Sequence, residues 1–471
     1  MSTTSGIGRW YAFREGARVY HESRDQVAGC ALRPANRGVE VIDTSPHITP
    51  AAYLSADIPG IGGRLKEVPE DFLVEELPLY APSGSGEHIY LLVEKRGMTA
   101  MEMYALIARH FGVKRSAVGY AGLKDKQAIT RQVVSVHTPG KTVDDFPHFE
   151  HERVKILWAD QHDNKLRRGH LAGNRFSIKV RGVAPTDVRT ALRVMRVLEQ
   201  QGAPERFGPQ RFGYLENNHL IGQAILRRDP VTALDLLLGP SKTSPDQQRP
   251  AREHYAAKDY KAARDAFPHA FKTERLALIA LANGESPEQA IDAIDPDILG
   301  FYISAFQSAV FNAVLDRRIE GGTFGTLFEG DVTVTHAGRN PAVVDEVSLA
   351  DEEFMARYKA MEFCASGPLW GRKMKRAAGA VDAVEVEMLG EFGFTPETLP
   401  DPAEFDLPMI GGTRRPLRCP VTNTEVEGGS DELGPYIRVA FDLPRGAFAT
   451  VVLDEIMKLN PESSLDSGAS V

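Results

Sequence analysis

Cysteine is scarce in this sequence. Three cysteines occur in 471 residues, at Cys30, Cys364 and Cys419, and no two of them form a Cys-x-x-Cys pair. An odd number of widely spaced cysteines indicates neither a disulfide framework nor a zinc site, so we expect no bound metal. Apolar runs of membrane-spanning length are also missing, and residues 1–10 lack the apolar segment of a signal peptide. We therefore expect no membrane association and a reducing, cytoplasmic location.

Glycine-rich nucleotide-binding loops are lacking as well. Residues 60–63 (Gly-Ile-Gly-Gly) precede no helical pattern, and residues 239–243 are too short for a phosphate-binding loop. We therefore expect no nucleotide cofactor. The chain as a whole has no excess of positive charge, and its net charge of −9 argues mildly against a nucleic-acid partner. Because an average hides local patches, the distribution of charge along the chain decides this question.

One stretch of the chain is strongly basic. Residues 165–181 contain no acidic residue and six lysines and arginines, namely Lys165, Arg167, Arg168, Arg175, Lys179 and Arg181. Such a stretch can supply the phosphate contacts that dominate affinity for nucleic acids. A solvated basic face has the same composition, so the pattern alone leaves both interpretations open.

A glycine-punctuated loop with one carboxylate between two lysines precedes a β-branched run. Gly119 and Gly122 allow the backbone to bend or to approach a ligand closely, and residues 133–136 (Val-Val-Ser-Val) are typical of a strand. Asp125 lies between them, with a lysine on either side that would favour its ionised form. The pattern fits a nucleophile held on a loop beside a strand. A solvated surface turn is the alternative.

Hydrophobic periodicity predicts regular structure on both sides of this loop. Strands are expected over residues 72–76 and 88–94, and Thr99 is expected to cap a helix. A second helix is expected over residues 186–201, capped by Thr186. The polar residues 241–264 are expected to form a loop or insertion. The inward side chains of the second helix are expected to be Val188, Leu192, Met195 and Leu198.

Several motifs together resemble one known family. Residues 122–132 read Gly-Leu-Lys-Asp-Lys-x-Ala-x-Thr-x-Gln, which is similar to the catalytic motif of the TruD family of tRNA pseudouridine synthases. Further stretches resemble other motifs of that family in the same order, at residues 66–72, 173–176, 202–213, 306–312, 367–371 and 441–453. The resemblance covers residues 64–458. Within it, Glu205 and Arg206 replace an Asn-Tyr pair of the family motif, which puts the contacts of that pair in doubt.

The resemblance implies roles for individual residues. Asp125 would be the nucleophile and Lys66 its partner, which keeps it ionised and oriented. Phe72 would line the active-site wall, Asn174 would help to hold the catalytic loop, and Phe176 would stack on the target base. Without the resemblance these positions fit a surface lysine, core rings and a turn. The residues expected to contact RNA are Lys165, Arg167, Arg168, Arg175 and Arg211.

The resemblance also implies an architecture. The expected fold class is α/β (α+β), with a mixed, largely antiparallel sheet in a pseudouridine-synthase-like catalytic domain and a second, inserted α+β domain. A chain of 471 residues exceeds what one core usually supports, which agrees with two domains. The expected divisions are an N-terminal extension of unknown role (1–60), a discontinuous catalytic domain (61–213 and 411–458), an insertion (214–410) and a flexible tail (459–471).

The function that follows is isomerisation of uridine to pseudouridine in tRNA, at position 13 of the D arm. The reaction imports no group and transfers no electrons, so no cofactor is expected. The main alternative is a protein that binds or remodels structured RNA without modifying it. A hydrolase with a carboxylate pair is a further alternative, but it requires a second placed acid that the Asp125 loop does not offer. The point of attack, uracil C6 or ribose C1′, and the oligomeric state stay open.

Overall fold

The computed structural model describes residues 50, 52–336, 340–401 and 407–459. These residues belong to one compact unit that spans residues 41–471. Most of the expected N-terminal extension, and all of the expected tail except Leu459, lie outside the described residues.

Strands and helices alternate irregularly along the described residues. The strands are β1 (Phe72–Pro78), β2 (His88–Arg96), β3 (Val118–Tyr120), β4 (Ile129–His137), β5 (Val154–His162), β6 (Leu171–Arg181), β7 (Ala203–Pro204), β8 (Val332–Thr335), β9 (Ala342–Val343), β10 (Phe363–Leu369), β11 (Thr413–Pro416), β12 (Arg418–Cys419), β13 (Thr422–Asp431) and β14 (Gly434–Pro444). The helices are α1 (Ala100–His110), α2 (Val188–Gln201), α3 (Asn218–Leu226), α4 (Pro230–Leu238), α5 (Arg249–Ala256), α6 (Tyr260–Ala266), α7 (Lys272–Ala282), α8 (Pro287–Asp292), α9 (Pro296–Glu320), α10 (Glu346–Ala350), α11 (Glu352–Lys359), α12 (Gly379–Glu391) and α13 (Ala449–Met457).

Eight of the described strands form one mixed sheet. Its order is β13-β14-β6-β1-β4-β2-β5, and β3 pairs with β4 beside this path. Strands β1 and β4 run parallel, with Leu73 opposite Ile129, whereas the other described pairs are antiparallel. The expectation of a mixed, largely antiparallel sheet is confirmed.

The first half of the sheet folds as the periodicity predicts. Ile89, Leu91 and Val93 of β2 are buried against α1. Thr99 caps α1, because its hydroxyl oxygen accepts a hydrogen bond from the Glu102 amide, while the Glu102 carboxylate accepts bonds from the Thr99 amide and hydroxyl. This capping box fixes where the chain turns from β2 into α1, and so it sets the approach of the chain to Asp125.

Helix α2 begins later than its sequence predicts. Pro185–Asp187 forms a 3₁₀ turn, so the α-helix starts at Val188 and Thr186 is not its cap. The buried side chains are Ala191, Val194, Met195 and Leu198. Leu192 is exposed, which makes the predicted inward face wrong by part of a turn. The fully buried Ala191 lies on the inward face instead, and a prediction based on large apolar residues overlooks such a small one.

A second group of elements lies between β7 and β12 in the chain. It contains α3 to α12 and a four-stranded sheet of order β11-β10-β8-β9. Residues 241–264, expected to be a loop, contain α5 and most of α6, because Asp259 caps α6 and Ala251 and Ala263 bury small faces. One helix among the described residues, α9, is long and apolar enough to cross a membrane, but 78% of its apolar window is buried inside the protein. Such burial is typical of a core helix.

The C-terminal segment completes the main sheet. Strand β6 has β1 on one side and β14 on the other, so Phe176 lies opposite Val74 in β1 and opposite Phe441 in β14. The side chains of Ile178, Val439 and Leu453 are buried in the same core. Residues that are distant in sequence therefore meet beside the loop that carries Asp125.

Candidate active site

Asp125 lies on the loop that joins β3 to β4. We call residues 121–128 the Asp125 loop. Its carboxylate Oδ2 is 3.1 Å from Nζ of Lys66, and the Asp125 side chain is 60% exposed. Lys66 comes from the segment just before β1, and its backbone has a φ of +58°. That conformation is uncommon outside glycine, so the surrounding fold holds Lys66 in place.

The Lys66 ammonium has a second neighbour in the first residue of β1. Its Nζ lies 4.4 Å from the centre of the Phe72 ring, within the range of a cation–π contact. Phe72 in turn packs edge-on against Phe176, with 6.5 Å between ring centres. The ion pair of Lys66 and Asp125 therefore stands at the edge of an aromatic cluster.

This aromatic cluster consists of Phe72, Phe176 and Phe441. The rings of Phe176 and Phe441 are 5.5 Å apart and tilted by 31°. Phe176 is only 7% exposed, so most of its ring already contacts protein. The role of stacking partner for the target base stays a prediction for Phe176.

The backbone of the Asp125 loop is tied to the sheet and to α1. Lys95 of β2 donates from Nζ to the Asp125 carbonyl oxygen at 2.5 Å. The hydroxyl of Tyr104 in α1 donates to the carbonyl oxygen of Gly122 at 3.1 Å and accepts a bond from Gln132 at 2.9 Å. These bonds anchor an otherwise irregular loop at Gly122 and at Asp125 itself.

Lys124 does not act as a second ammonium group on the Asp125 carboxylate. Its Nζ lies 3.4 Å from the buried Glu76 carboxylate and donates to the side-chain oxygen of Asn174. Burial lowers the pKa of Lys124 and raises the pKa of Glu76, and the attraction between the two charges opposes both shifts. Lys126 is exposed. The flanking lysines thus differ, because one anchors the loop and the other faces solvent.

Asn174 takes part in this anchor from the neighbouring strand. It lies opposite Glu76 in the pairing of β6 with β1, so the register places both side chains beside Lys124. The contact supports the expected role of Asn174 in holding the loop. That role itself stays a prediction.

Part of the basic stretch lies beside the Asp125 loop. Arg168 donates to the hydroxyl of Tyr120 at 3.0 Å, and the amide of Gly169 donates to the carbonyl oxygen of Ala121 at 2.8 Å. Lys165 donates to the carbonyl oxygen of Ser116. Arg167 is exposed and has no ion pair among the described residues. Arg168 and Gly169 thus lie beside the Asp125 loop, and contact of the three cations with RNA stays a prediction.

Other members of the basic stretch are neutralised within the sheet. Arg175 pairs with Asp442 at 3.0 Å and with Glu425 at 2.6 Å. Arg181 is buried between Asp71 and Asp431, with contacts of 2.6 and 2.7 Å. The geometry does not support the expected phosphate contact of Arg175, because two carboxylates already hold its guanidinium.

Arg211 lies apart from this group. Its guanidinium donates to the hydroxyls of Ser304 and Ser308 on α9, and it covers the ring of Phe301 at 5.0 Å. Burial lowers its pKa. No carboxylate pairs with it among the described residues, so its charge stays available to a nearby anion. Its contact with RNA remains a prediction.

We expect neutralisation of Arg167 and Arg168 to weaken tRNA binding. The double variant Arg167→Gln/Arg168→Gln should lower affinity for all tRNAs alike and reduce the log–log salt slope by about 1 to 2, because each phosphate contact releases a counterion. Filter binding over a salt series measures both effects. The control Arg189→Gln/Arg193→Gln removes equal charge from the exposed side of α2. Equal effects of the two double variants would argue against a local contact at residues 167 and 168.

Glu205 and Arg206, which replace the Asn-Tyr pair of the family motif, form internal ion pairs. The Glu205 carboxylate pairs with Arg415 of β11, whose Nε also donates to the Glu205 carbonyl oxygen at 3.2 Å. Arg206 pairs with Asp316 of α9. Both residues are buried, so each charge has an opposite charge to offset its desolvation. The replacements therefore join this segment to the elements between β7 and β12.

Sequence reasoning missed two residues of the site, Lys95 and Glu76. A signal for each was present in the strand periodicity. Ile89, Leu91 and Val93 point inward, and the next inward position is Lys95; Phe72 and Val74 point inward, and the next is Glu76. A charged residue that continues an apolar series indicates a buried polar contact.

Comparisons with known proteins identify the family of this chain. The family model for tRNA pseudouridine synthase D (TruD) matches residues 50–456. A tRNA pseudouridine synthase D from Geobacter metallireducens is 40% identical over 412 residues, which cover 86% of this chain and 97% of that protein. The enzyme of the same name from Thermus thermophilus is 32% identical over 420 residues, which cover 88% of this chain and 94% of the relative.

A solved structure shares the fold. The crystal structure of a Methanosarcina mazei protein, described as a tRNA pseudouridine synthase D, superimposes with a TM-score of 0.78 at 27% identity. The match covers 90% of this chain and all of that chain. The range matched by the family model includes the Asp125 loop, both strands beside it and β13 and β14, which complete the sheet. The chain belongs to the TruD family of tRNA pseudouridine synthases.

Proposed function

We propose that the Asp125 loop is the site at which this protein converts uridine in tRNA to pseudouridine, with Asp125 as the nucleophile. The observation that carries the proposal is the pairing of Lys66 with Asp125 at 3.1 Å, beside the ring of Phe72. A protein that only binds RNA has no need of such a pair. Membership of the family favours the isomerase over the alternative of a non-catalytic RNA-binding protein.

The chemistry requires a group that can attack carbon and later leave. Isomerisation breaks the bond between N1 and C1′, turns the uracil, and joins C5 to C1′, after which the C5 proton is lost and N1 is protonated. A carboxylate can attack either uracil C6 or ribose C1′ and can depart again. The Lys66 ammonium holds and orients the Asp125 carboxylate that performs this step, at 3.1 Å from its Oδ2. The C5 proton lost in the reaction provides an assay.

We also propose a target uridine, a cellular compartment and a division into domains. We place the target at uridine 13 of the D arm, as the family resemblance implies, and the protein in the cytoplasm. The division into a catalytic domain (61–213 and 411–458) and an insertion (214–410) is supported by separate cores. One core lies under the eight-stranded sheet, and another surrounds α9.

Mapping of pseudouridine tests the function directly. Purified protein is incubated with a tRNA transcript, and modified positions are read by a chemical method specific for pseudouridine. We expect modification at uridine 13 and no other position in the D arm. A modified uridine elsewhere would correct the target, and an unmodified transcript that nevertheless binds tightly would support the RNA-binding alternative.

We expect metal chelation to leave the activity intact. The proposed reaction uses a carboxylate and an ammonium group, and among the described residues no group of three or more His, Cys, Asp and Glu side chains could hold a metal ion. Tritium release after prolonged EDTA treatment measures the effect, with the tRNA folded separately beforehand. Activity that only added zinc restores would contradict the proposed mechanism.

A further inference from the structure

Lys95 is a buried cation without a buried anion beside it. Its residue is 0% exposed, and it continues the inward apolar series of β2. Its Nζ donates to the carbonyl oxygen of Asp125 at 2.5 Å. No carboxylate among the described residues lies within ion-pair distance of it. An ammonium group carries three donors, so one hydrogen bond to a carbonyl leaves most of its charge uncompensated.

The charged groups around Lys95 are already engaged elsewhere. Lys124, on the Asp125 loop, pairs with Glu76. Glu102, on α1, accepts the capping bonds of Thr99 from both its amide and its hydroxyl. The Asp125 carboxylate pairs with Lys66. The Lys95 ammonium therefore contacts the backbone of the Asp125 loop, and no charged group among the described residues pairs with it.

Stability does not account for a lysine at this position. Burying an ammonium group costs free energy unless it is paired, whereas a methionine or leucine would continue the apolar face of β2. The observed contact is with the main chain of Asp125, the residue on which the proposed reaction depends. The contact with Asp125 therefore explains the charge better than the stability of β2 does.

We propose that Lys95 is a positioning residue for Asp125: its ammonium group fixes the Asp125 carbonyl and adds positive potential beneath the loop where the reaction develops negative charge. The proposal rests on the proposed function. The second half of the role follows from the reaction, because cleavage of the N1–C1′ bond leaves the electron pair on uracil. A fixed cation in a protected site favours such an anion more than a solvated cation does.

The protonation of Lys95 gives the role a pH signature. Burial lowers the pKa of Lys95 to about 8; the negative charge of Asp125 and Glu102 opposes that shift, and the positive charge of Lys124 adds to it. The ammonium is therefore lost in the alkaline range, and kcat should fall above about pH 8. In the unfolded chain the pKa returns to its ordinary value of 10.5. Between these two values the unfolded state binds more protons, so the contribution of Lys95 to stability rises with pH.

Activity and stability should therefore move in opposite directions. This separation distinguishes a positioning role from a structural one. If Lys95 had only a structural role, the activity of the enzyme would fall only where the folded state loses stability. Thermal unfolding and kcat, both measured from pH 7 to pH 10, provide the comparison. The N3 proton of uridine also titrates in the alkaline range, so variants at residue 95 are needed to assign the fall.

Two substitutions of Lys95 provide the assignment. Lys95→Met removes the charge at every pH, and we expect kcat to drop about 30-fold or more with KM changed by less than about threefold, together with loss of the alkaline limb. Lys95→Arg keeps its positive charge from pH 7 to pH 10, so kcat of this variant should fall only at a higher pH, where the N3 proton of uridine titrates. Lys126→Met removes an exposed lysine of the same loop and serves as the charge-matched control for tRNA binding.

One result with each variant of Lys95 would overturn the proposal. A Lys95→Met variant with wild-type kcat and an unchanged alkaline limb would do so. If the methionine variant fails to fold, a Lys95→Arg variant whose activity falls at the same pH as the wild type would do so instead. Hydrogen exchange of the amides of residues 122–128 gives a readout that needs no catalysis. An inactive wild type would refute the proposed function. If exchange were nevertheless faster in Lys95→Met, the inference that Lys95 positions the loop would still stand.

Discussion

Asp125→Asn is expected to abolish pseudouridine formation while tRNA affinity changes by less than about tenfold, or roughly 1.4 kcal/mol. Asparagine keeps the size of the side chain and most of its hydrogen bonding but removes the nucleophilic charge. Affinity should survive, because the cations that border the loop, such as Arg168 and Arg167, are separate from the Asp125 carboxylate. Removal of one anion from a site for a polyanion favours slightly tighter binding.

The measurement pairs two assays on the same protein. Release of tritium from C5-labelled uridine in tRNA reports turnover, and filter binding at one fixed salt concentration reports affinity. Asp144→Asn, at an exposed position on a different loop, is the matched control and should keep full activity. Release at the wild-type rate by Asp125→Asn would disprove the assignment of the nucleophile.

Lys66→Met is expected to lower kcat by about 100-fold with little change in KM, since a charge-assisted contact that orients the nucleophile is lost. The variant removes both the ion pair with Asp125 and the contact with the Phe72 ring. The Lys66 side chain is 28% exposed, so solvent screens part of the pair. The effect on kcat should therefore come from orientation more than from charge alone.

Two further variants separate orientation from charge. Lys66→Arg keeps a cation beside Asp125 but changes its shape, and we expect it to recover only part of the activity. Lys126→Met removes an equal charge from the exposed side of the loop and should leave kcat unchanged. Full activity in Lys66→Met would show that the pair is an ordinary surface ion pair.

The sequence alone could predict the features that depend on local order. The motif around Asp125, the capping box of Thr99 and the inward series of Ile89, Leu91 and Val93 are all local, and the structure contains the predicted strands and helix. Contacts between distant segments escaped prediction. The basic stretch contains no acid of its own, yet Arg175 is neutralised by Asp442 and Glu425, which reach it only because β14 and β13 complete the sheet.

The partners of buried charges could not be predicted for the same reason. The sequence shows that Lys95 occupies the next inward position after an apolar series, but it does not show that Lys95 donates to a carbonyl oxygen of the Asp125 loop. The same holds for Glu205 and Arg415, which are far apart in the chain and paired in the structure. A periodicity identifies which side chain is buried, whereas the topology decides what it meets.

The position of β14 in the chain has a consequence for how the protein is made. During translation β6 leaves the ribosome long before β14, so one edge of β6 has no neighbouring strand while the elements between β7 and β12 are synthesised. An open strand edge invites pairing with other chains, which makes this interval the one in which nascent protein is most exposed to aggregation. A prematurely terminated chain would carry Lys66 and Asp125 but lack Phe441 behind Phe176. Only chains that extend past Phe441 would then contain the whole aromatic cluster. Shorter products would therefore modify tRNA poorly.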